Sequence, residues 1–487
     1  MARKNYTGII LFVYLISFFG VNADQVFQSV HGFLGDRASG MGGAYTAVSD
    51  DATGTFYNPG GLGFASKSSF TASSSAYQKA SDNYNNVDGP SRDYIRKSNS
   101  YFPNFVGFIA GSDKIKYGFS FASPYQSQTD VANSIPYPFQ LVSGRYGYNN
   151  YVSINKEDLT RTQFGPSLAF RITDRLSIGA TLYYVRETRS FMATDEYELL
   201  DKTMKREVNY DRKLSIGFQP IFGFVYSLTD KLYIGMSLRK IFNTAGRRNS
   251  YYSDNDYYVY KSGFGSGGYT YNDSMFVQSR ANVSMPAPTE IRTGISYYLS
   301  ERLMLVTDFI YNSPYRQKGK NYSVSFSNPA TITFGDNEYN ELRRIETKNI
   351  ASGLEYFINQ IFSLRIGFFT NQSSNKKIDW SKSAIEAAIY EYAENKVPLN
   401  KEKTAFYEGI RGGHYQYSFN DAYYQNDLSS KGFTFGLSYF ISRSTSVAFT
   451  IIHQAGKGGS VYYFQAPSTP VSYGQTQFNF SISAMSE

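Results

Sequence analysis

Apolar and polar residues alternate with a period of two along much of the chain. One stretch illustrates the pattern, with apolar residues at every second position, namely Phe164, Pro166, Leu168, Phe170 and Ile172. The alternation stops at Thr173 and Asp174 and resumes over residues 176–184. Because successive side chains of a β-strand point to opposite faces, the pattern predicts two strands joined by a tight turn, each with one apolar face.

The same hairpin pattern occurs six times. The paired stretches are 105–110 with 115–122, 164–172 with 176–184, 216–227 with 232–238, 291–299 with 303–311, 350–357 with 361–369, and 433–440 with 447–452. An opening strand over 68–77 and a closing strand over 477–484 bring the total to about fourteen strands. Single-chain outer-membrane barrels have an even number of strands, and this count meets that requirement.

Long polar segments separate the hairpins. They cover residues 82–103, 123–160, 188–211, 242–287, 313–346, 371–430 and 456–473. In outer-membrane barrels the short turns face the periplasm and the long loops face the outside. We therefore expect an all-β fold, an antiparallel transmembrane β-barrel with long extracellular loops and both termini in the periplasm. A soluble β-sandwich shares the alternation but explains the regular sequence of short and long connections less readily.

The strand face opposite the apolar one carries glycine or charge. The glycines are Gly165, Gly179, Gly235, Gly294, Gly353, Gly367 and Gly436. The charged residues are Arg171, Arg239, Glu290, Arg292, Glu355 and Arg365. An arginine on the lipid side costs about 2–4 kcal/mol at the membrane midplane, so we expect these residues to line the lumen in ion-pair networks. Arg171, Arg239, Arg292, Glu355 and Arg365 are the candidate lumen-lining residues. Wall packing is the simpler role for each one taken singly, and transport is the alternative.

The composition changes the picture that hydropathy alone would give. Only 41% of the residues are hydrophobic, but 17% are aromatic, with 45 Tyr and 39 Phe. Outer-membrane barrels need aromatic girdles at both membrane interfaces, which fits this balance. The chain has no Cys, so disulfides and thiolate sites are excluded.

The first residues have the features of an export signal. Arg3 and Lys4 form a basic start, residues 9–19 form an apolar stretch, and Ala23 ends a run of small residues. This stretch is shorter than the roughly 20 apolar residues of a membrane-spanning helix. We therefore predict a cleaved signal peptide over 1–23 rather than a membrane anchor. An N-terminal segment over 24–67 and a barrel over 68–487 would follow.

The N-terminal segment contains a glycine-rich motif. Residues 37–62 read RASGMGGAYTAVSDDATGTFYNPGGL. This run combines a paired-glycine turn, a stretch of small residues, Asp-Asp, and an aromatic residue followed by Asn-Pro and a small residue. It resembles the start of mature FadL/TodX-type proteins, which are outer-membrane channels for long-chain fatty acids and aromatic hydrocarbons.

The resemblance implies a hatch, or plug, folded inside a fourteen-stranded barrel. In that family an Asn-Pro-Ala element of the hatch lies close to a kinked strand with a lateral opening, and Asn58, Pro59 and Gly60 occupy that position here. The start of the family's hatch reaches into a hydrophobic pocket, which by position corresponds to a stretch that includes Phe27 and Phe33. The resemblance thus assigns ligand binding or gating to these five residues.

The function implied is uptake of a hydrophobic small molecule, such as a long-chain fatty acid or a hydrocarbon. Ligand binding would move the hatch, and the ligand would leave sideways into the lipid of the outer membrane. We expect a monomer without a cofactor or a metal. Two alternatives stay open: a passive diffusion porin, against which the hatch argues, and a FadL-like barrel that serves as partner of a secretion or surface-attachment system.

Charge and catalytic motifs bear on two further classes of protein, nucleic-acid-binding proteins and enzymes. The formal net charge is +8, but the basic residues form only isolated pairs at 247–248, 343–344 and 376–377, so we expect no nucleic-acid binding. The histidines are His31, His414 and His453, and none has a metal-ligand spacing. No G-x-S-x-G motif occurs. We expect no enzyme, although a barrel enzyme that assembles its site from distant strands stays open as an alternative.

Overall fold

The computed structural model describes residues 33–65, 68–84, 94–135, 139–140, 147–199, 204–261, 268–326, 331–334, 337–375, 426–442, 444–460 and 469–486. The predicted signal peptide and Phe27 lie outside these residues. The described chain begins with two short helices, α1 (Asp36–Gly40) and α2 (Gly54–Tyr57), and the 3-10 helix η1 (Pro59–Phe64). None of the helices within the described ranges has the length and apolar character to cross a membrane.

The rest of the described chain is almost entirely strand. The strands are β1 (Ser69–Tyr84), β2 (Tyr94–Gly111), β3 (Ile115–Ile135), β4 (Phe139–Gln140), β5 (Gly147–Arg171), β6 (Leu176–Leu199), β7 (Met204–Thr229), β8 (Leu232–Arg239), β9 (Phe242–Lys261), β10 (Gly268–Asn282), β11 (Glu290–Ser300), β12 (Leu303–Asn312), β13 (Tyr315–Phe326), β14 (Thr331–Phe334), β15 (Asn337–Arg344), β16 (Thr347–Phe357), β17 (Phe362–Asn371), β18 (Asn426–Phe440), β19 (Thr445–Ser460) and β20 (Thr469–Met485).

These strands form one closed antiparallel barrel of fourteen strands. The barrel count is lower than the number of segments because β8 and β9 continue one another, as do β10 and β11, β12 and β13, and β15 and β16. The short segments β4 and β14, which pair with β5 and β13, are not counted as separate barrel strands. The last strand, β20, pairs with β1 along its length and closes the wall. The predicted fold class and strand number are therefore confirmed.

The alternation of exposure along the strands agrees with the sequence pattern. On β5 the apolar Phe164 and Leu168 are 45% and 42% exposed, whereas Gln163 and Ser167 are 2% and 5% exposed. The apolar side chains point outward and the polar ones point into the barrel. This arrangement suits a barrel with lipid on the outside and a polar interior.

The strands are longer than predicted. β5, β6 and β7 have 25, 24 and 26 residues, although about 9–11 residues cross a membrane. The polar segment 188–211, predicted to be a loop, is strand except for residues 200–203, which lie outside the described part. Side chains become polar where the wall leaves the membrane, but backbone pairing continues there, so polarity marks the membrane boundary rather than the end of a strand.

Candidate functional site

The N-terminal segment packs against the inner face of the barrel. Almost all of its residues from Phe33 to Gly63 are buried. A series of turns over residues 41–53 joins α1 to α2, and η1 follows α2 after Asn58. Gly42 and Gly43 adopt φ of 68° and 84°, which glycine tolerates without steric cost. This paired-glycine turn lets the chain reverse within the space that the wall leaves.

Pairs of inward glycines make three notches in the wall. The directly opposed pairs are Gly353 with Gly367, Gly235 with Gly294, and Gly179 with Gly223. The segment fills them in turn with Met41 and Gly42, with Thr46 and Ala47, and with Asn58, Pro59 and Gly60. An added Cβ at any of these wall positions would overlap an atom of the segment or of a neighbouring strand. Of these six notch glycines, the sequence pattern identified all except Gly223.

A chain of alternating charges joins the segment to β16 and β17. Nη1 of Arg365 lies 3.4 Å from Asp36, and its Nε lies 2.7 Å from Glu355. Nη2 of Arg37 lies 2.9 Å from the same Glu355 carboxylate, and its Nη1 lies 2.5 Å from Asp50. The predicted lumen-facing residues Glu355 and Arg365 thus form ion pairs with Asp36 and Arg37 of the segment.

A second group of charges holds α2. Arg239 donates hydrogen bonds to the carbonyl oxygens of Phe56 and Tyr57, at 2.8 and 3.0 Å. Glu290 lies 3.2 Å from Arg239 and 2.5 Å from Arg292. The Arg292 guanidinium also lies 5.7 Å from the Tyr57 ring centroid. Both predicted arginines therefore contact the segment.

Asp308 on β12 binds the middle of the segment. Its Oδ2 accepts hydrogen bonds from the backbone N–H groups of Tyr45 and Thr46 and from the Thr46 hydroxyl, at 2.9, 3.0 and 2.6 Å. The residue is fully buried. Asp308 was not predicted from the sequence, although an acidic residue on the inward face of an otherwise apolar strand was a usable signal.

Arg171 lies at the short-turn end of the wall and is only partly buried. Its Nη2 lies 3.9 Å from Asp174, and its guanidinium lies 5.4 Å from the ring centroid of Phe64 at the end of η1. It is therefore the least enclosed of the candidate lumen residues.

The structure brings Asn58, Pro59 and Gly60 against β6 and β7. Nδ2 of Asn58 donates to the carbonyl oxygens of Thr46 and Phe224, and its Oδ1 accepts from Gly60 N. Asn58 thereby joins two turns of the segment to the wall. Since Pro59 lacks an N–H donor, it suits the start of a 3-10 helix.

The wall is incompletely paired between β2 and β3. Their register runs through seven pairs and ends at Phe105 and Ala122, although β2 remains paired with β1 as far as Tyr94 and β3 with β5 as far as Ile135. Register shifts occur just beyond this point on both sides. Proline cannot donate to a ladder, and Pro103 and Pro124 lie at the shifts.

The part of the segment nearest this discontinuity is α2 together with Phe33. The Thr55 hydroxyl donates to Ser120 on β3 at 2.8 Å, and Ser120 lies 2.6 Å from the Tyr183 hydroxyl. Nδ2 of Asn104 on β2 donates to the Phe33 carbonyl. Thr55 and Asn104 were not predicted as site residues from the sequence. The family resemblance led us to expect Asn58, Pro59 and Gly60 near a kinked strand.

Burial affects two ionisable groups of the segment. It raises the pKa of Tyr57 to about 12, so the phenol stays protonated and its oxygen accepts from Leu34 N at 3.0 Å. Burial also raises the pKa of Asp51, an effect that the nearby Arg37 opposes. No group of His, Asp or Glu with metal-binding geometry occurs among the described residues.

A family model described as outer membrane protein transport protein (OMPP1/FadL/TodX) matches residues 35–383. The Pseudomonas putida toluene transporter TodX has 14% identity and a TM-score of 0.58, covering 95% of this chain and 99% of its own. A Pseudomonas aeruginosa FadL homologue has 12% identity and a TM-score of 0.55, and the match covers 94% of this chain and 99% of the homologue. The Ralstonia pickettii toluene transporter TbuX has 13% identity and a TM-score of 0.53, and the match covers 94% of this chain and 100% of TbuX. No curated protein sequence matches significantly.

Proposed function

The chain belongs to the OMPP1/FadL/TodX family of outer membrane transport proteins, and on that premise we propose that it is an uptake channel for hydrophobic compounds gated by its N-terminal segment. The compounds would be long-chain fatty acids or similar lipids and hydrocarbons. The segment would act as a hatch, and the ligand would leave through the wall between β2 and β3 into the membrane.

The unpaired stretch between β2 and β3 carries this proposal. Its seven ladder pairs start at the short-turn end. A strand needs about 9–11 residues to cross the membrane, so the pairing ends within the bilayer. Backbone groups without partners are costly in lipid, and an irregular wall at this depth is tolerated where it lines a passage.

The packing of the segment argues against a passive porin. Three notches and two groups of charges hold it against the inner face of the barrel. A ligand must therefore shift the equilibrium of the segment by binding its displaced form better than its closed form. The neutral contacts at Thr55 and Phe33 lie where this shift would open a path to the unpaired wall.

A disulfide lock tests the gate. The chain has no Cys, so Thr55→Cys with Ser120→Cys introduces one defined pair at positions whose hydroxyl oxygens lie 2.8 Å apart. The oxidised variant in proteoliposomes is expected to lose at least nine-tenths of the uptake of a labelled fatty acid, and reduction is expected to restore it.

The matched control is Thr71→Cys with Ser483→Cys, which joins two wall strands, β1 and β20, at hydroxyls 3.2 Å apart. Its oxidation is expected to leave uptake unchanged. Uptake that persists in the locked Thr55/Ser120 variant would refute gating by the segment. If the wild-type protein takes up no hydrophobic compound, the alternative role as partner of a secretion or surface-attachment system becomes the better account.

A further inference from the structure

Two side-chain amides from different strands converge on the backbone of Phe33. Nδ2 of Asn104 on β2 and Nδ2 of Asn479 on β20 each donate to the Phe33 carbonyl oxygen, at 3.3 Å. Asn104 and Asn479 are 2% and 3% exposed. Buried carboxamides need partners, and here two of them share one acceptor.

The Phe33 side chain lies in an apolar environment. Its ring centroid is 4.7 Å from that of Phe369, and a Cβ at Gly43 would lie 3.1 Å from the ring. Phe105 and Ile452 belong to the same buried cluster. Among the described residues, the side-chain hydrogen bonds to Phe33 come from the two carboxamides and none comes from Lys or Arg.

We propose that Phe33 stands in for the transported ligand, and that Asn104 and Asn479 form a binding site for an uncharged oxygen acceptor on an apolar, aromatic molecule. Phe33 presents the matching chemistry, an aromatic ring close to a carbonyl oxygen. The inference rests on the proposed function and adds to it the class of ligand. A ketone, an ester or an amide attached to an aromatic group fits this description.

The competition between Phe33 and the ligand decides which molecules fit. A ligand that displaces Phe33 leaves both carboxamides without an acceptor unless it supplies one, and an unsatisfied buried donor is unfavourable. A pure hydrocarbon therefore binds more weakly than a ketone of the same shape. A carboxylate is also disfavoured, because a buried charge requires a paired cation. A fatty acid would therefore bind at this point as the neutral acid, whose carbonyl oxygen can accept from the two carboxamides.

Displacing Phe33 also changes the hydrogen bonds of the wall next to the unpaired stretch between β2 and β3. The Ser73 hydroxyl donates to Oδ1 of Asn104 and accepts from Gly35 N at 3.1 Å. Asn104 directly precedes Phe105, where the β2–β3 pairing ends. The same carboxamide thus contacts the start of the segment and the edge of the unpaired wall, so ligand binding and release of the segment take place at one point.

Three molecules of nearly equal shape test the site: isopropylbenzene, acetophenone and benzoate. Binding to the full-length protein is measured by equilibrium dialysis, and each ligand is compared between variants so that partition into detergent cancels. The preference for the ketone is the ratio of acetophenone affinity to isopropylbenzene affinity, and it is expected to fall about 5- to 10-fold from the wild type to Asn479→Leu.

The matched control is Asn312→Leu, which removes a buried carboxamide that donates to Thr347 at 3.3 Å, away from the site. It is expected to keep the preference for the ketone. Should Asn479→Leu fail to fold, Asn104→Leu makes the same test.

A fall in benzoate affinity in Asn479→Leu that equals or exceeds the fall in acetophenone affinity would overturn the ligand class and leave the proposed transport standing. An unchanged preference in Asn479→Leu would likewise overturn the site. Binding of none of the three, together with no uptake of a labelled fatty acid, would overturn the transport function as well.

Discussion

The N-terminal segment is held by different chemistry on its two sides. On the anchored side, defined by its contacts with Arg239, Asp308, Glu355 and Arg365, the wall binds it through charged groups. On the neutral side, formed by Ser73, Asn104, Ser120 and Asn479, the wall offers only hydroxyls and carboxamides. The β2–β3 pairing ends next to the neutral side, and the ladder between β8–β9 and β10–β11 is interrupted beside Arg239 and Glu290 on the anchored side. The two sides therefore differ in chemistry rather than in wall pairing, and this difference indicates that they have different tasks.

The charged contacts of the anchored side cost more free energy to break than the neutral hydrogen bonds of the neutral side. Breaking a buried ion pair by removing one partner costs about 3–5 kcal/mol. A neutral hydrogen bond contributes about 0.5–1.5 kcal/mol net. A ligand with a modest difference in affinity between two states can therefore release the neutral side while the anchored side stays in place.

The largest expected effect is at the anchored side. Glu355→Gln leaves Arg37 and Arg365 without their shared carboxylate, and we expect a loss of about 3–5 kcal/mol in the free energy of unfolding. Guanidinium unfolding in detergent measures it. The control is Glu346→Gln, which breaks an exposed pair with Lys348 and should cost less than about 1 kcal/mol. Equal losses in the two variants would contradict the assignment of an anchor.

Filling a notch should have the next largest effect. Gly223→Leu inserts a side chain where Asn58 packs, and overpacking of this kind costs about 1–3 kcal/mol. We expect the segment to be displaced and liposomes to leak a small hydrophilic dye. Phe222→Ala, one residue away on the outward face, is the control and should stay tight. A tight Gly223→Leu channel would show that the notch does not position the segment.

A change on the neutral side should alter gating more than stability. Thr55→Val keeps the shape of the side chain and removes its hydrogen bond to Ser120, so we expect a loss of about 0.5–1.5 kcal/mol. Uptake of a labelled fatty acid is expected to rise several-fold because the closed form is weakened. A stability loss as large as that of Glu355→Gln would remove the distinction between the sides.

The smallest effect is expected from pH. The pKa of Tyr57 is raised to about 12 by burial, from an ordinary value near 10. A raised pKa means that the contribution to stability is complete below about pH 10 and is lost as the pH rises towards 12. We expect an alkaline loss of stability in the wild type that is smaller in Tyr57→Phe. The same profile in both proteins would exclude Tyr57 as its source.

The sequence predicted the parts of this arrangement that follow from strand parity. The side chains of Arg239, Arg292, Glu355 and Arg365 point inward because they alternate with apolar residues in a wall surrounded by lipid. The strand number followed from the short turns. These features depend on the local alternation of residues, which can be recognised in a single sequence.

Features that depend on register between strands were not predicted. Pro103 and Pro124 lie at the ends of polar segments, and only the paired register reveals that they flank one discontinuity. Asn104 and Asn479 are nearly four hundred positions apart in the chain and meet at Phe33 because β20 closes the barrel on β1. Contacts of this kind arise from closure of the wall, which local pattern does not specify.

Hydrogen exchange at single-residue resolution tests most directly whether the neutral side moves while the anchored side stays. The Gly35 amide donates to Ser73 on the neutral side, whereas the Tyr45 and Thr46 amides donate to Asp308 on the anchored side. With saturating acetophenone, exchange at Gly35 is expected to accelerate at least tenfold while Tyr45 and Thr46 stay unchanged. Equal acceleration at all three amides, or faster exchange at Tyr45 and Thr46 alone, would contradict the account.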